Sequence, residues 1–277
     1  LNSSDSSIDV TSIAAAVAQG NANAEASAEA SGVDQDVFSG DGTALGEIEN
    51  SGSLTVLADA VASASGFGSA YADAEAEDSK EDADRETEDH GIINNSGTVT
   101  SSAFATATAN SGSASADATA NGIDQDVNAE SSSGFALGIL TNSSDSSVDV
   151  SAVANATANG FGRADAEASI FDGLDQDVAS SGNASAELTN SGSVSLYASA
   201  TASTSGTADA DAEVNEAIDQ DVDAETGTAE GSIENSGNVT SSAFATATST
   251  SGNAFAEADV QEGIDQTING ESGAEGT

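Results

Sequence analysis

Apolar and polar side chains alternate one by one along most of this chain. From residue 98 to 109, odd positions hold only Val, Ser and Ala, and even positions hold Thr, Ser and Phe. Alternation resumes from Ala114 to Ala120 and again from Ile123 to Ala129. A period of two places alternate residues on opposite faces of a strand, whereas in a helix it would scatter alanine around every side. The pattern therefore predicts β-strands with one buried face, although alanine intrinsically favours helix.

Short Asn-Ser-Gly and Asn-Gly phrases separate the alternating segments and recur at a fixed interval. An apolar-x-Asn-Ser-Gly phrase, as in Leu188–Gly192, repeats with small variations along the whole sequence. Its anchoring asparagines lie 45 to 48 residues apart: Asn2, Asn50, Asn95, Asn142, Asn190 and Asn235. Glycine and asparagine tolerate the backbone angles that tight turns require. The phrase therefore marks the turns of a repeated structural unit.

A second phrase, apolar-Asp-Gln-Asp-apolar, keeps the same period. It occurs at 33–37, 123–127, 174–178 and 218–222, and a degenerate copy occupies 264–268. Two phrases in phase predict six units of about 46 residues that fill the 277-residue chain. The segments 2–10 and 99–108 return 140 residues later, so the units form two blocks, 1–139 and 140–277.

These repeats predict an all-β fold, a single continuous β-solenoid over residues 1–277 with an alanine-rich core. Stacked coils would bury small side chains between closely spaced sheets. We expect inward-facing alanines at 116, 118, 166, 210 and 256. At a rise of about 3.3 Å per residue, one unit has a contour of about 150 Å, and the sequence leaves open whether it forms a single wide coil or two coils of half a unit each, about 23 residues. Separate antiparallel modules and a disordered chain are the alternatives.

Composition narrows the classes of function. The chain has three basic and 48 acidic residues, a net charge of −45, and no Pro, Cys, Met or Trp. So negative a surface repels nucleic acids and anionic lipids. No apolar run approaches the ~18 residues of a membrane span. Without cysteine, and with His90 as the single histidine, thiol catalysis and histidine metal clusters are excluded. We therefore expect no enzyme, no nucleic-acid partner and no membrane insertion.

The repeat phrase is similar in style to those of known surface proteins. In all six units the apolar-x-Asn-Ser-Gly phrase or a variant precedes a strand, and this arrangement resembles the repeats of autotransporter passenger domains and filamentous-haemagglutinin-like adhesins. The resemblance implies export, display at the cell surface, and a role in adhesion or in a fibre.

The Asp-Gln-Asp phrases are the best candidate site. In a solenoid their carboxylates would stack in two columns, formed by Asp34, Asp124, Asp175 and Asp219 and by Asp36, Asp126, Asp177 and Asp221. Stacked like charges repel, and cations such as Ca²⁺, which prefer oxygen ligands, would relieve that repulsion. The alternative is that these carboxylates simply face water. No other cofactor is indicated.

The stretch from Glu75 to His90 is densely charged and contains Lys80 and Arg85, two of the three basic residues. It stands where unit two should carry its Asp-Gln-Asp phrase. We interpret it as a charged insertion that projects from the coil and could contact a neighbouring subunit.

The repeat phrases reach both ends of the chain and leave almost no room for capping segments. We therefore expect head-to-tail continuation, either as a homopolymer or within a longer chain of the same repeats. The sequence thus favours an extracellular structural or adhesive protein, a filament subunit or stalk segment. The alternative is an acidic module that binds Ca²⁺ or another ligand.

Overall fold

The computed structural model describes residues 1–4, 6–39, 43–85, 88–130 and 134–277, and these residues build three parallel β-sheets. The first sheet contains β1 (Ser7–Ala18), β4 (Ser53–Ala64), β7 (Thr98–Ala109), β11 (Ser147–Ala158), β14 (Ser193–Thr204) and β17 (Asn238–Ser249). The second contains β2 (Ala24–Ser39), β5 (Ala70–Arg85), β8 (Ala114–Ala120), β9 (Ile123–Ala129), β12 (Ala164–Ser180), β15 (Ala208–Ala224), β18 (Ala254–Glu262) and β19 (Thr267–Gly270). The third contains β3 (Thr43–Asn50), β6 (Glu88–Asn95), β10 (Phe135–Asn142), β13 (Asn183–Asn190), β16 (Thr228–Asn235) and β20 (Gly273–Gly276).

Each coil visits the three sheets in turn and then pairs with the next coil in parallel. Ser7 pairs with Ser53, and Ser53 pairs with Thr98, so the chain returns to the same place after one complete repeat unit. One unit is therefore one wide coil, which decides between the two coil lengths that the sequence allowed. The predicted all-β solenoid is confirmed.

The core lies in two parts, because the inward rows of the second sheet change phase near the middle of its strands, at a position that we call the corner. Its first half packs against the first sheet through rows of alanine, and its second half packs against the third sheet around Val127, Val178 and Val222. One alanine column of the first sheet runs through every coil: Ala14, Ala60, Ala105, Ala154, Ala200 and Ala245. Small side chains on both facing sheets let the sheets approach closely, which preserves dispersion contacts without large apolar residues.

Four of the five alanines expected to face the core are buried: Ala116, Ala118, Ala166 and Ala210. The fifth, Ala256, is exposed, so that expectation was wrong for it. Ala256 pairs in register with Ala210 and occupies the same inward position, but β18 lies in the last coil and no further coil covers it.

The charged stretch is not an insertion, which corrects the sequence interpretation. Residues 75–85 lie within β5 and pair in register with β2, Glu77 opposite Ser31 and Lys80 opposite Asp34. Backbone pairing does not depend on the charge of outward side chains. Ala74, Ala76 and Ala83 are buried, so β5 continues the inward alanine rows of its neighbours. Residues 86 and 87 of the stretch lie outside the described residues.

Candidate functional site

The predicted acidic columns form in the second half of the second sheet. Backbone register places Asp124 beside Asp175, and Asp175 beside Asp219. Coil two interrupts this column, because Lys80 lies between Asp34 and Asp124. The neighbouring column of Asp36, Asp82, Asp126, Asp177 and Asp221 is continuous in register.

The two columns differ along their length in exposure. Asp34 and Asp36 in the first coil are exposed, whereas Asp124, Asp175 and Asp219 are half-buried. Burial, reinforced by Asp172 and other neighbouring carboxylates, raises the pKa of Asp175 to about 9. Burial and Asp221 likewise raise the pKa of Asp219 to about 7. The fold therefore disfavours the ionised form of these aspartates unless they bind protons or cations.

Three outer carboxylates beside these columns also converge. Carboxylate oxygens of Glu216, Glu262 and Asp265 all lie within 4.8 Å of one another among the described residues. They occupy the last two coils and are exposed or half-buried. Exposed acidic groups of this kind are partly screened by solvent, so they do not by themselves define a site.

The glutamine of each Asp-Gln-Asp phrase points inward and forms a buried ladder that the sequence did not predict. The Nε2 atoms of Gln176 and Gln220 each donate to the Oε1 of the glutamine one coil earlier at 2.7 Å, and Gln266 continues the series at 2.8 Å. Gln125, Gln176 and Gln220 are 0% exposed. The same Nε2 atoms also lie within 3.1–3.4 Å of backbone carbonyls of the third sheet. The ladder thus joins the second sheet to the third.

Glycines of the third sheet make room for this ladder. A Cβ atom on Gly138 would lie 2.5 Å from Val178 Cγ2 and 3.0 Å from Gln176 Nε2. A Cβ atom on Gly91 would lie 2.6 Å from Val127 Cγ2. These positions are glycine because the backbone of the third sheet passes directly over the glutamine side chains.

Coil two replaces the ladder glutamine with Glu81. Gln125 Nε2 donates to Glu81 Oε2 at 3.0 Å, so Glu81 accepts as a glutamine would. Among the residues that the structure describes, its other oxygen, Oε1, has no hydrogen-bond partner of ordinary geometry, and neither has Gln35 Oε1 in coil one. Burial raises the pKa of Glu81, and it outweighs the lowering effect of hydrogen bonds from Gln125 and from the Ile92 backbone. The ladder is therefore broken between coils one and two. The ionised Glu81 carboxylate has no hydrogen to donate to Gln35 Oε1, whereas a glutamine would.

The anchoring asparagines form a second ladder at the turn between the third and first sheets. Each Nδ2 donates to the Oδ1 of the next asparagine, at 2.8–2.9 Å, from Asn2 through to Asn235. Asn95, Asn142 and Asn190 are 0–1% exposed. Asparagine suits this buried position because its amide can donate to the asparagine of one neighbouring coil and accept from that of the other.

Charge is distributed unevenly around the solenoid. The outward positions of the first sheet are mostly Ser and Thr, with exposed Phe104, Tyr197 and Phe244, and their only carboxylates are Asp9, Asp59 and Asp149. The outer face of the second sheet is lined with carboxylates. Asp73, Asp117, Glu167 and Asp211 form one stacked column there. Burial and these neighbours raise the pKa of Asp117 to about 6.

We expect this stacking to make stability depend on salt. Neighbouring carboxylates in a column are about 4.8 Å apart, so effective screening requires ~1 M sodium chloride, where the Debye length is ~3 Å. The melting temperature, followed by circular dichroism with a chelator present, should rise from low salt to that concentration. Sucrose of equal osmolality serves as the control for solvent exclusion. An unchanged melting temperature would mean that the columns do not strain the fold.

No family model matches the chain, and comparisons with curated proteins and with solved structures found no similar protein. None of the described residues belongs to a helix that is long and apolar enough to cross a membrane.

Proposed function

We propose that the protein is a structural element of an extracellular fibre or stalk, related in role to surface adhesins, and that its solenoid continues head to tail. A first coil would stack on a last coil, either between copies of this chain or within a longer chain of the same repeats. Its role is mechanical rather than catalytic. The observation that carries this proposal is the fixed direction of the two side-chain ladders.

The asparagine ladder presents different groups at the two ends. Every Nδ2 donates towards the C-terminal coils, so in the last coil described Asn235 accepts from Asn190 and its own Nδ2 is the next donor of the series. At the other end, Asn2 donates to Asn50, and its Oδ1 accepts only a local bond from Ser6 among the described residues. The last coil therefore offers a donor, and the first coil offers an acceptor.

The glutamine ladder runs in the opposite direction and gives the complementary arrangement. Gln266 donates to Gln220, so its Oε1 is the acceptor left at the last coil. Gln35 holds the equivalent position in the first coil. Stacking a first coil on a last coil would continue both ladders, whereas joining two like ends would oppose donor to donor and acceptor to acceptor.

The last coil also exposes what every other coil buries. Ala254, Ala256 and Ala258 in β18 carry on the inward alanine rows of β15, yet they are exposed. Within the described ranges the outer edges of β17 and β18 are unpaired, because these strands end the first and second sheets. Exposed edges and apolar rows of this kind favour addition of another strand layer.

Contact with other surfaces would be easiest through the outer face of the first sheet. This face carries few carboxylates, so it meets less electrostatic repulsion than the acidic second sheet. Its exposed aromatic pair, Tyr197 and Phe244, has ring centroids 5.6 Å apart. The same fibre could therefore adhere to other surfaces through this face while its coils stay stacked.

Sedimentation of the wild type and of Asn235→Asp tests the stacking. The aspartate keeps the oxygen that Asn190 needs but replaces the donor at the open end with an acceptor. In ~1 M sodium chloride, where the Debye length is ~3 Å, the wild type should form concentration-dependent linear oligomers that the variant forms weakly or not at all.

Asn128→Asp is the matched control, because it adds the same charge on a lateral strand, β9. It should associate like the wild type. A wild type that stays monomeric at every concentration, or an Asn235→Asp variant that associates equally well, would overturn the proposal.

A further inference from the structure

The outer face of the third sheet carries a largely apolar patch in its first three coils. Its side chains point outward from β3, β6 and β10 and are called the third-sheet patch: Leu45, His90, Ile92, Phe135, Leu137 and Ile139. Leu45 is 56% exposed, and the other five are half-buried. The rings of His90 and Phe135 pack edge to face, with centroids 6.1 Å apart. Contiguous apolar patches on a protein surface indicate interaction sites, whereas apolar side chains scattered singly need no explanation.

Backbone register orders the patch into two adjacent rows that run across the coils. The first row contains, in order, Leu45, His90 and Leu137. The second row contains, in order, Glu47, Ile92, Ile139 and Glu187. Neighbouring members of a row are about 4.8 Å apart, the spacing of paired strands. The second row therefore presents two isoleucines between two carboxylates.

The fold does not need apolar residues at these positions, because the second block replaces them. The residues 140 positions after Leu45 and Ile92 are Ser185 and Ser232. Both serines continue the same two rows in the later coils. The second block thus forms the same sheet with polar outward side chains, so packing within the solenoid does not account for the apolar ones in the first block.

The patch faces away from the rest of the solenoid. Within the described ranges, the strands that pack most extensively against β3, β6 and β10 are their neighbours in the third sheet and strands of the second sheet. The second sheet lies on the inward side, where Val127 and Val178 belong to the core. Apolar side chains that remain in contact with water favour a partner that buries them.

The charge around the patch favours a cationic partner. The six strands of the third sheet contain no Lys or Arg, whereas exposed Glu47 and Glu187 border the patch at its two ends. A second copy of this chain would instead bring two net charges of −45 together. Like charges across an interface reject a partner, and opposite charges attract one.

The spacing of the second row matches one face of an α-helix. Glu47 and Glu187 are three coil spacings apart, about 14 Å. A helix rises about 1.5 Å per residue, so residues i, i+3, i+7 and i+10 lie on one face at about 0, 4.5, 10.5 and 15 Å. Basic residues at the two ends and apolar residues between them would meet the row one for one. A strand would not, because its same-face side chains are about 7 Å apart and it would offer one where the row has two.

We propose that the third-sheet patch binds an amphipathic helix of another protein, laid along the solenoid axis. The apolar side chains of the helix cover the two isoleucines, and its Lys or Arg side chains pair with the two carboxylates at the ends of the row. Burial of apolar surface supplies the affinity, while the exposed ion pairs chiefly select the partner. This surface goes beyond the proposed function, which rests on the coil ends and the first sheet.

Fluorescence anisotropy of a labelled synthetic helix tests the patch. The peptide carries lysine at i and i+10, leucine at i+3 and i+7, and alanine or glutamine elsewhere. It is titrated with the whole protein in ~0.15 M sodium chloride, where the Debye length is ~8 Å. The wild type should bind it saturably. Leu45→Ser/Ile92→Ser gives the first block the residues of the second, so it should fold and bind at least ~10-fold more weakly.

Two controls separate apolar recognition from general attraction between opposite charges. Ile13→Ser/Val61→Ser removes two apolar side chains from the outer face of the first sheet and should bind like the wild type. A peptide with glutamine in place of both leucines keeps every charge and should bind much more weakly.

Three results would overturn the proposal. The first is no saturable binding by the wild type. The second is equal binding of the two peptides, or equal binding by the wild type and Leu45→Ser/Ile92→Ser, since either would leave only charge attraction. The third is self-association of the wild type that Leu45→Ser/Ile92→Ser abolishes in sedimentation, because the patch would then belong to a second copy.

Discussion

Replacing Glu81 with glutamine is expected to stabilise the protein. Glutamine keeps the oxygen that accepts from Gln125 Nε2, and its amide can donate to Gln35 Oε1, for which the described part of the wild-type chain offers no hydrogen-bond donor. The substitution also removes a carboxylate that is 0% exposed. Removing an unsatisfied buried acceptor and restoring a hydrogen bond should raise the free energy of unfolding by about 1–3 kcal/mol at neutral pH.

The stabilisation that Glu81→Gln produces should increase as the pH rises. The pKa of Glu81 is raised in the folded protein, so the folded state binds its proton more tightly than the unfolded chain does. Near pH ~2–3, below the unfolded glutamate pKa of about 4.3, the carboxyl is protonated in both states and the two proteins should be similarly stable. As the pH rises from the unfolded pKa to the raised folded one, the wild type loses the contribution of Glu81 in addition to the losses from other buried carboxylates, which both proteins share, so the difference grows.

Chemical denaturation of both proteins between acid and alkaline pH, with a chelator present, measures this difference. Glu230→Gln makes the same chemical change on the exposed face of β16 and should leave the difference from wild type small at every pH. Equal stability of the wild type and Glu81→Gln at alkaline pH would refute the view that Glu81 breaks the ladder.

Enlarging an alanine of the core is the second large effect that we expect. Ala200 is 1% exposed and belongs to the alanine column of the first sheet, which faces the alanine rows of the second. A leucine there would have to separate two sheets whose spacing is set by alanine in every coil. Overpacking of this kind should lower the free energy of unfolding by about 1–3 kcal/mol.

The neighbouring position supplies the control. Ser199 lies on the same strand, but its side chain points outward, beside that of Phe244 in the next coil. Ser199→Leu adds a large apolar side chain without entering the core and should change stability little. If Ala200→Leu and Ser199→Leu unfolded at the same denaturant concentration, the closely packed alanine core would be disproved.

Much of the fold could be predicted because period-two alternation and turn phrases are local signals. They assign the inward rows, such as Ala114 to Ala120, before any pairing is known. The coil length could not be read in this way. Pairing between Ser7 and Ser53 is a relation between distant segments, and a repeat unit of about 46 residues is compatible with one or two coils until that pairing is observed.

The candidate site was harder to predict, for a physical reason that coil two illustrates. Its run of charges resembles a solvated loop, yet Glu81 and Asp78 point inward and Lys80 replaces a column aspartate. The inward rows also change phase at the corner, since adjacent Asp78 and Ser79 are both buried. Alternation alone therefore assigns the wrong face to one of the two.

The distance along the chain between paired strands has a consequence for folding. Thr98 pairs with residues 45 positions before it and 49 after it, Ser53 and Ser147, so the first pairing must close a loop of that size. Closing it costs about 3 kcal/mol of chain entropy before any contact compensates, whereas each later coil adds to an edge that already exists. Folding should therefore begin slowly, at one pair of coils, and then advance along the axis one coil at a time. A chain that emerges gradually from a ribosome or an export channel can follow this order without waiting for its far end.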